Sequence, residues 1–365
     1  MFQFEIRADA SWFILVALVT ASLVLGTFPQ FYPGLSTGTY VLMGLIGAIG
    51  LFASIVLHEL CHSIVGRYFQ MPIHEITLFL FGGVAHLEDE PPSAKSEFAM
   101  AIAGPVCSVA LGFFFGGLHM FGMALGWGGF ALGVAAYLMQ VNFLLAMFNM
   151  IPAFPLDGGR ILRALLWGLK RDLRWATRVA SAGGQGFGVV LMILGLTQFF
   201  VLGSIGGFWL VFLGILLMNV ARAAYQQLLV KQALHGRPVS RFMNANPLLA
   251  EPAMTVAQLV PRLIHDAEAS LIPVVEHGEV QGFVDAASLV NVPPENWERL
   301  TVSQIVRPLQ PAQVIDPEAD AEHAMQRMAQ SGARDLIVVR DRKFWGVLTL
   351  RGISRFISLR GPRAA

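Results

Sequence analysis

The sequence predicts a polytopic α-helical membrane protein, with about six transmembrane helices and a re-entrant hairpin, followed by a C-terminal α/β domain. Three observations carry this. Charged residues make up 13% of the 365-residue chain and hydrophobic ones 55%, where soluble domains average roughly 25% charged. The deficit is confined to residues 10–227, a succession of apolar blocks rich in Leu, Gly and Phe, while mixed charge and alternating strands follow from about Lys231. Mean hydropathy is accordingly high, at +0.61. Length alone suggests about two or three domains, and the formal net charge of +1 argues against nucleic acid as a partner, a role that shows a basic surplus.

A spanning helix needs about 20 mostly apolar residues. Six blocks qualify: 12–31, 40–69, 98–121, 130–151, 176–200 and 205–229. The first is read as a span and not a cleaved signal, because it lacks a small-residue cleavage site and further blocks follow it. With a cytoplasmic N-terminus, Arg7, Arg67, Lys95, Arg160, Arg163, Lys170, Arg171, Arg174, Arg178 and Arg222 fall at or near cytoplasmic ends. The opposite connections, around Pro33, Met123 and Gly203, hold no Lys or Arg. Basic residues stay on the cytoplasmic side, so the C-terminal domain is expected there too. The two cysteines, Cys61 and Cys107, lie inside apolar blocks and read as small buried hydrophobes, excluding a disulfide scaffold.

Residues 74–87, between the second and third blocks, are too few to span. Their β-branched and aromatic residues around Gly82-Gly83 predict a hairpin or re-entrant loop. Such backbone is tolerated at membrane depth only beside protein or a water-filled cavity, so a cavity is expected nearby.

The second block carries His58-Glu59-Leu60-Cys61-His62. Positions i and i+4 share one helix face, so both imidazoles can bind one metal ion while Glu59 reaches a water on it. Unpaired ionisable groups cost at least ~2.5 kcal/mol at the centre of a span, and a metal site turns that liability into chemistry. A catalytic zinc usually takes three protein ligands. The best third candidate is Asp157, in the segment Asn149 to Gly159 that closes the fourth block at matching depth. Pro152 and Pro155 break the helix there and free backbone carbonyls. The competing reading of Asp157 is a helix cap.

His58-Glu59-x-x-His62, the Gly82-Gly83 loop and Asn149-x-x-Pro152-x-x-Pro155-x-Asp157-Gly158-Gly159 together resemble the site-2 protease family of intramembrane zinc metalloproteases. The resemblance covers the whole membrane half. It implies one zinc ion held by His58, His62 and Asp157, with Glu59 as general base. Asn149, Pro152 and Pro155, with the Gly82-Gly83 loop, are implied to position substrate. The family's substrates imply a single-span regulatory protein such as an anti-sigma factor, or a remnant signal peptide, cut in the plasma membrane. His86 reads as a loop residue and not a fourth ligand. The 76–87 segment is expected to offer a strand edge to an unwound substrate.

An internal repeat follows. Ile272-Pro273-Val274-Val275 precedes Gly282-Phe283-Val284, and Leu336-Ile337-Val338-Val339 precedes Gly346-Val347-Leu348. Each unit reads as strand, turn, strand and helix, and the two resemble a tandem pair of CBS domains. The resemblance implies a regulatory or dimerising module, often one that binds an adenine nucleotide. The family's ribose-binding pattern Gly-x-x-Thr-x-x-Asp is departed from: Asp285 and Ser288 hold its last two positions in the first unit, Thr349 and Gly352 in the second. The expected boundaries are a protease domain at 1–230, a linker at 231–238 and CBS units at 239–295 and 299–358. Two other readings stand beside this one: a CBS-gated transporter or channel, and an inactive relative that only holds clients.

Overall fold

The computed structural model describes residues 5–8, 10–71, 73–79, 82–87, 90–265, 270–290 and 292–360. The chain separates into two compact units, Met1–Gln226 and Gln227–Ala365.

The first unit opens with strand β1 (Glu5–Ala8) and helix α1 (Ala10–Ser22), which passes through one π-helical turn, Leu23–Thr27, into α2 (Phe28–Phe31). Then come α3 (Thr37–Tyr68), β2 (Ile73–Phe79), β3 (Gly82–Leu87), α4 (Ala94–Ala124), α5 (Gly129–Asn149), α6 (Asp157–Lys170), α7 (Leu173–Leu202) and α8 (Gly206–Leu234). Among the described residues six helical stretches are long and apolar enough to cross a membrane: Phe13–Phe31, α3, α4, α5, α7 and α8. They cover the six blocks read from sequence. Side-chain hydroxyls start two of them. Ser36 accepts from the Thr39 amide at the head of α3, and Ser93 from the Ser96 amide at the head of α4, satisfying donors that a helix end leaves free.

The 74–87 segment forms a hairpin, with Thr77 opposite Val84 and Leu78 opposite Gly83. Leu80 and Phe81 lie outside the described residues. The sequence did not signal the third strand: β1 pairs in parallel with β2, giving the order β1-β2-β3. β1 and β3 are the two edge strands of this sheet. His86, expected in a loop, falls within β3. The backbone there is strand because it is paired on one side by β2. Its side chain lies outside the described residues.

α7 and α8 pack backbone to backbone. A Cβ on Gly188 would meet the Gly214 carbonyl oxygen at 2.6 Å, and one on Gly214 the Gly188 oxygen at 2.5 Å. Ser181 Oγ donates to the Ala221 carbonyl at 2.6 Å across the same seam. Small residues and interhelical hydrogen bonds replace the hydrophobic drive that lipid removes.

The second unit begins inside α8. Residues 231–234, expected to start a linker, remain helical, and Leu234 is fully buried with Val239, Leu336 and Leu348; burying that side chain keeps the helix intact through its last turn. Beyond it lie α9 (Val256–His265), β4 (Leu271–Glu276), β5 (Glu279–Asp285) and α10 (Ala286–Val290). They are followed by β6 (Val314–Ile315), α11 (Ala321–Ser331), β7 (Asp335–Arg340), β8 (Lys343–Thr349) and α12 (Leu350–Arg360). The five strands form one mixed sheet ordered β4-β5-β8-β7-β6. The repeat read from sequence appears as two copies of helix, strand, strand, helix, each strand pair an antiparallel hairpin with a register shift at Val274/Val275 and Val338/Val339. Residues 266–269 and 291 of the first repeat lie outside the described residues.

Candidate metal centre

α3 is helical across His58 and His62, so the two imidazoles sit one above the other on one face. Both are buried, at 3% and 8% exposure. Their Nε2 atoms are 3.2 Å apart. Asp157 Oδ2 lies 3.1 Å from His58 Nε2 and 3.2 Å from His62 Nε2. Among the described residues this is the one group of three His, Cys, Asp or Glu side chains able to share an ion.

The other ring nitrogens are committed. His62 Nδ1 lies 2.7 Å from the Met100 carbonyl oxygen, which can only accept, so Nδ1 carries the proton and Nε2 keeps a free lone pair. His58 Nδ1 lies 2.8 Å from Ser108 Oγ. Partners of this kind fix the tautomer and orientation of metal-binding histidines. Both come from α4. So does Gly104, where a Cβ would stand 2.2 Å from His62 Nε2 and 2.6 Å from His58 Nε2. Any larger residue would fill the space between the rings.

Whether zinc fits can be judged from these distances. Bonds of about 2.0–2.1 Å in tetrahedral geometry place neighbouring ligand atoms roughly 3.3 Å apart. The three observed separations, 3.1, 3.2 and 3.2 Å, describe one face of such a tetrahedron, with N, N and O donors that zinc accepts. The residues fit the metal.

Asp157 reaches the histidines through local folding. α5 ends at Asn149, and residues 150–156 turn back before α6 begins at Asp157; the Phe154–Pro155 peptide is cis. A Cβ on Gly158 would stand 2.4 Å from the Met150 and Ile151 carbonyl oxygens, and one on Gly159 2.4 Å from the Phe154 nitrogen. The two glycines let the loop lie against the first turn of α6. Asp157 is that helix's first residue, and its Oδ2 is engaged by histidines rather than by backbone amides as a cap would be.

α6 is held to α4 by a buried ion pair. Arg163 Nε donates to Glu97 Oε1 at 2.6 Å, and a second guanidinium nitrogen contacts the same oxygen. Glu97 is fully buried and Arg163 5% exposed. Arg163 also lies 3.6 Å from Glu90 and 5.3 Å from the centre of the Phe154 ring. One turn before His58 on α3, Asn142 of α5 donates to Ser54 Oγ at 3.0 Å.

Glu59 follows His58 on α3, half-buried and within electrostatic reach of His58, His62, Asp157 and Arg160. Asn149 closes α5, Pro152 and Pro155 lie in the turn after it, and Gly82 and Gly83 open β3, paired with Phe79 and Leu78. Cys61 and Cys107, expected to be buried, are half-exposed. They face each other where α3 meets α4, with Cys107 Sγ donating to the Leu57 carbonyl at 3.6 Å, a seam at the helix surface and not the packed interior.

Sequence reading missed Gly104, Ser108, Met100 and the Glu97–Arg163 pair. Its one available signal was Glu97 itself, a carboxylate at the edge of an apolar block.

Comparison with known proteins agrees with this architecture. Residues 46–125 and 122–195 match the model of peptidase family M50, and residues 302–359 that of the CBS domain. Rip3 of Mycobacterium tuberculosis, assigned by name to the zinc metalloproteases, is 33% identical over 354 residues, covering 96% of this chain and 90% of that protein. Zinc metalloprotease MJ0392 of Methanocaldococcus jannaschii is 26% identical over 314 residues, covering 85% and 84%. Among solved structures, the site-2 protease from Methanocaldococcus jannaschii aligns at 25% identity and a TM-score of 0.41, covering 61% of this chain and 93% of that one. The transporter reading is set aside. With a near full-length relative and six membrane-capable helices, the chain belongs to peptidase family M50, the site-2 proteases, as a multi-pass membrane zinc metalloprotease that carries a CBS domain.

Proposed function

We propose that this protease cuts the membrane-spanning segment of a single-span regulatory protein such as an anti-sigma factor, or a remnant signal peptide. His58, His62 and Asp157 hold the zinc ion and Glu59 is the general base. The observation that carries this reading is the convergence of His58 Nε2, His62 Nε2 and Asp157 Oδ2 within 3.1–3.2 Å of one another. Zinc, when bound, supplies Lewis acidity to the scissile carbonyl and brings water within reach of a carboxylate base near neutral pH. Glu59 takes that water's proton on its carboxylate and delivers it to the leaving amine nitrogen. Ser108 and the Met100 carbonyl keep both imidazoles in the ligating orientation.

Substrate reaches this point as an extended strand. The proposed template is the open edge of β3, where Gly82 and Gly83 leave room for close backbone approach, in a hairpin that re-enters the membrane. Asn149, Pro152 and Pro155 position the chain from the opposite side. The protease domain occupies 1–230 in the plasma membrane with both termini cytoplasmic. The CBS units, 239–295 and 299–358, regulate it or join two copies. No nucleotide enters this proposal, because Asp285 is already engaged by Ser288 and Arg307.

Glu59→Gln tests the assignment. Purified beside wild type and mixed with a single-span substrate, it should keep its zinc and lose roughly 10²–10⁴-fold in cleavage rate. Equal cleavage by both proteins would remove Glu59 from the chemistry; loss of zinc in the variant would recast it as a ligand.

A further inference from the structure

Between residues 158 and 226 the chain holds seven lysines and arginines against a single carboxylate, Asp172. Asp172 caps α7, accepting from the Trp175 amide at 2.9 Å. Three of the arginines lie where the α7–α8 hairpin ends. Arg178 Nε donates to Tyr225 Oη at 3.1 Å, and its guanidinium lies 5.8 Å from the centre of the tyrosine ring. Arg174, one turn earlier on α7, lies within electrostatic reach of the Tyr225 hydroxyl. Arg222, three residues before Tyr225 on α8, donates from Nε to Gln185 Oε1 at 3.0 Å. Arg174 Nε is buried without a partner. Among the described residues no carboxylate pairs with any of the three.

We propose that Arg174, Arg178, Arg222 and Tyr225 form a binding site for the phosphate group of an anionic membrane phospholipid. Guanidiniums so placed, Arg178 on a neutral hydroxyl and Arg222 on a neutral amide, repel one another and leave N–H donors for an anion. A phosphate oxygen set matches that donor geometry and supplies the missing charge. The surroundings select a lipid over other anions. Arg178 terminates an exposed stripe on α7 running through Ala182, Gly186, Val189 and Ile193, and Arg222 terminates one on α8 through Phe208, Phe212 and Ile215. Acyl chains laid along these apolar stripes bring their headgroup phosphate to the arginines. Trp175, with Lys170 Nζ 3.8 Å from its ring centre, sits beside them as an interfacial aromatic. Basic clusters between helix ends are where anionic lipids are held.

The test uses the full-length protein in nanodiscs of phosphatidylcholine mixed with phosphatidylglycerol, with co-purifying lipid measured by native mass spectrometry. Wild type should retain phosphatidylglycerol over phosphatidylcholine by roughly tenfold or more, the scale of one or two charge-assisted hydrogen bonds. Arg178→Gln/Arg222→Gln should lose that preference with zinc content unchanged, and the double lysine variant should keep part of it. Should the glutamine variant lose its zinc, Tyr225→Phe decides, since it removes the hydroxyl that holds Arg178 and should weaken the preference. Equal retention of both lipids by wild type, or an unaltered preference in the variants, overturns the site. So does displacement of phosphatidylglycerol by millimolar inorganic phosphate or by an acidic peptide, which would assign the cluster to a free anion or to a protein segment.

Discussion

The two compact units differ in how many polar side chains they bury and how many apolar ones they expose. In the second unit the interior is Leu234, Ile272, Leu336, Ile337 and Leu348, and its buried polar residues among those described are Glu322 and Asp335. In the first unit many large apolar side chains, from Phe13 to Phe212, face outward, and the interior holds Ser54, His58, His62, Glu97, Asn142 and Arg163 beside Phe28, Met43 and Met100. Water drives apolar groups into the second core. Lipid offers the first unit no such drive, so its helices meet through small residues and hydrogen bonds. A buried ionisable group there is expensive and is retained where it has a task. One rule of reading therefore does not serve the whole chain: polarity inside the membrane unit points to the metal centre and its supports, whereas in the second unit it points to local hydrogen bonding, as where Asp335 accepts from the Ser270 amide at 2.9 Å.

The sharpest way to break the comparison is to add one methyl group inside the membrane unit. Gly104→Ala places a Cβ 2.2 Å from His62 Nε2, so an imidazole must leave the ligating position. Zinc affinity should fall by more than roughly 100-fold, beyond the range caused by losing a supporting hydrogen bond, and cleavage should fall with it. Gly117→Ala, on the same helix with open space around it, should change neither. Normal zinc content in Gly104→Ala, measured by elemental analysis, would mean that the rings do not define the metal position.

The sequence made half of this centre legible. His58, Glu59 and His62 lie within one helical turn, so periodicity alone put both ligands on one face, and Asp157 was marked by prolines and glycines that only a reversal of the chain explains. Gly104, Ser108 and Met100 were not legible. They meet the histidines across 38 to 50 residues of chain, and a small residue in an apolar block carries no mark of what it faces. α6 escaped notice because at 14 residues it is too short to span, and three of its polar residues sit on a buried or half-buried side. β1 was hidden for a different reason: four residues pair in parallel with a strand some 70 positions away, a contact without local pattern. The second unit was clearer, since its two hairpins repeat the same apolar runs.

The next largest effect tests whether the interior of the membrane unit is dry around its charges. Arg163→Met removes the cation paired with fully buried Glu97. Leaving one partner of a buried pair uncompensated costs about 3–5 kcal/mol, so denaturation in detergent should shift by that amount. Replacing both partners, Arg163→Met with Glu97→Leu, should restore much of the loss. A cost under about 1 kcal/mol would show that water reaches Glu97 and that the contrast between the two interiors is weaker than the packing implies.

The smallest effect belongs to the second unit, at a carboxylate that is only partly buried. Asp285 accepts from the Ser288 amide at 2.8 Å and from Arg307 at 2.7 Å. Partial burial pushes its carboxyl upward, but the hydrogen bonds from Ser288 and the Arg307 charge outweigh that and hold it below the ordinary carboxylate range. A depressed folded-state pKa stabilises above the unfolded value, about 3.9, and the contribution disappears as pH falls through the folded one. Asp285→Asn should therefore cost under about 1 kcal/mol at neutral pH, as exposed pairs do. Thermal melts of wild type and variant should differ by a constant interval down to about pH 4 and converge below it. An interval that widens on acidification would reverse the sign, and would mean that the folded protein favours the protonated carboxyl.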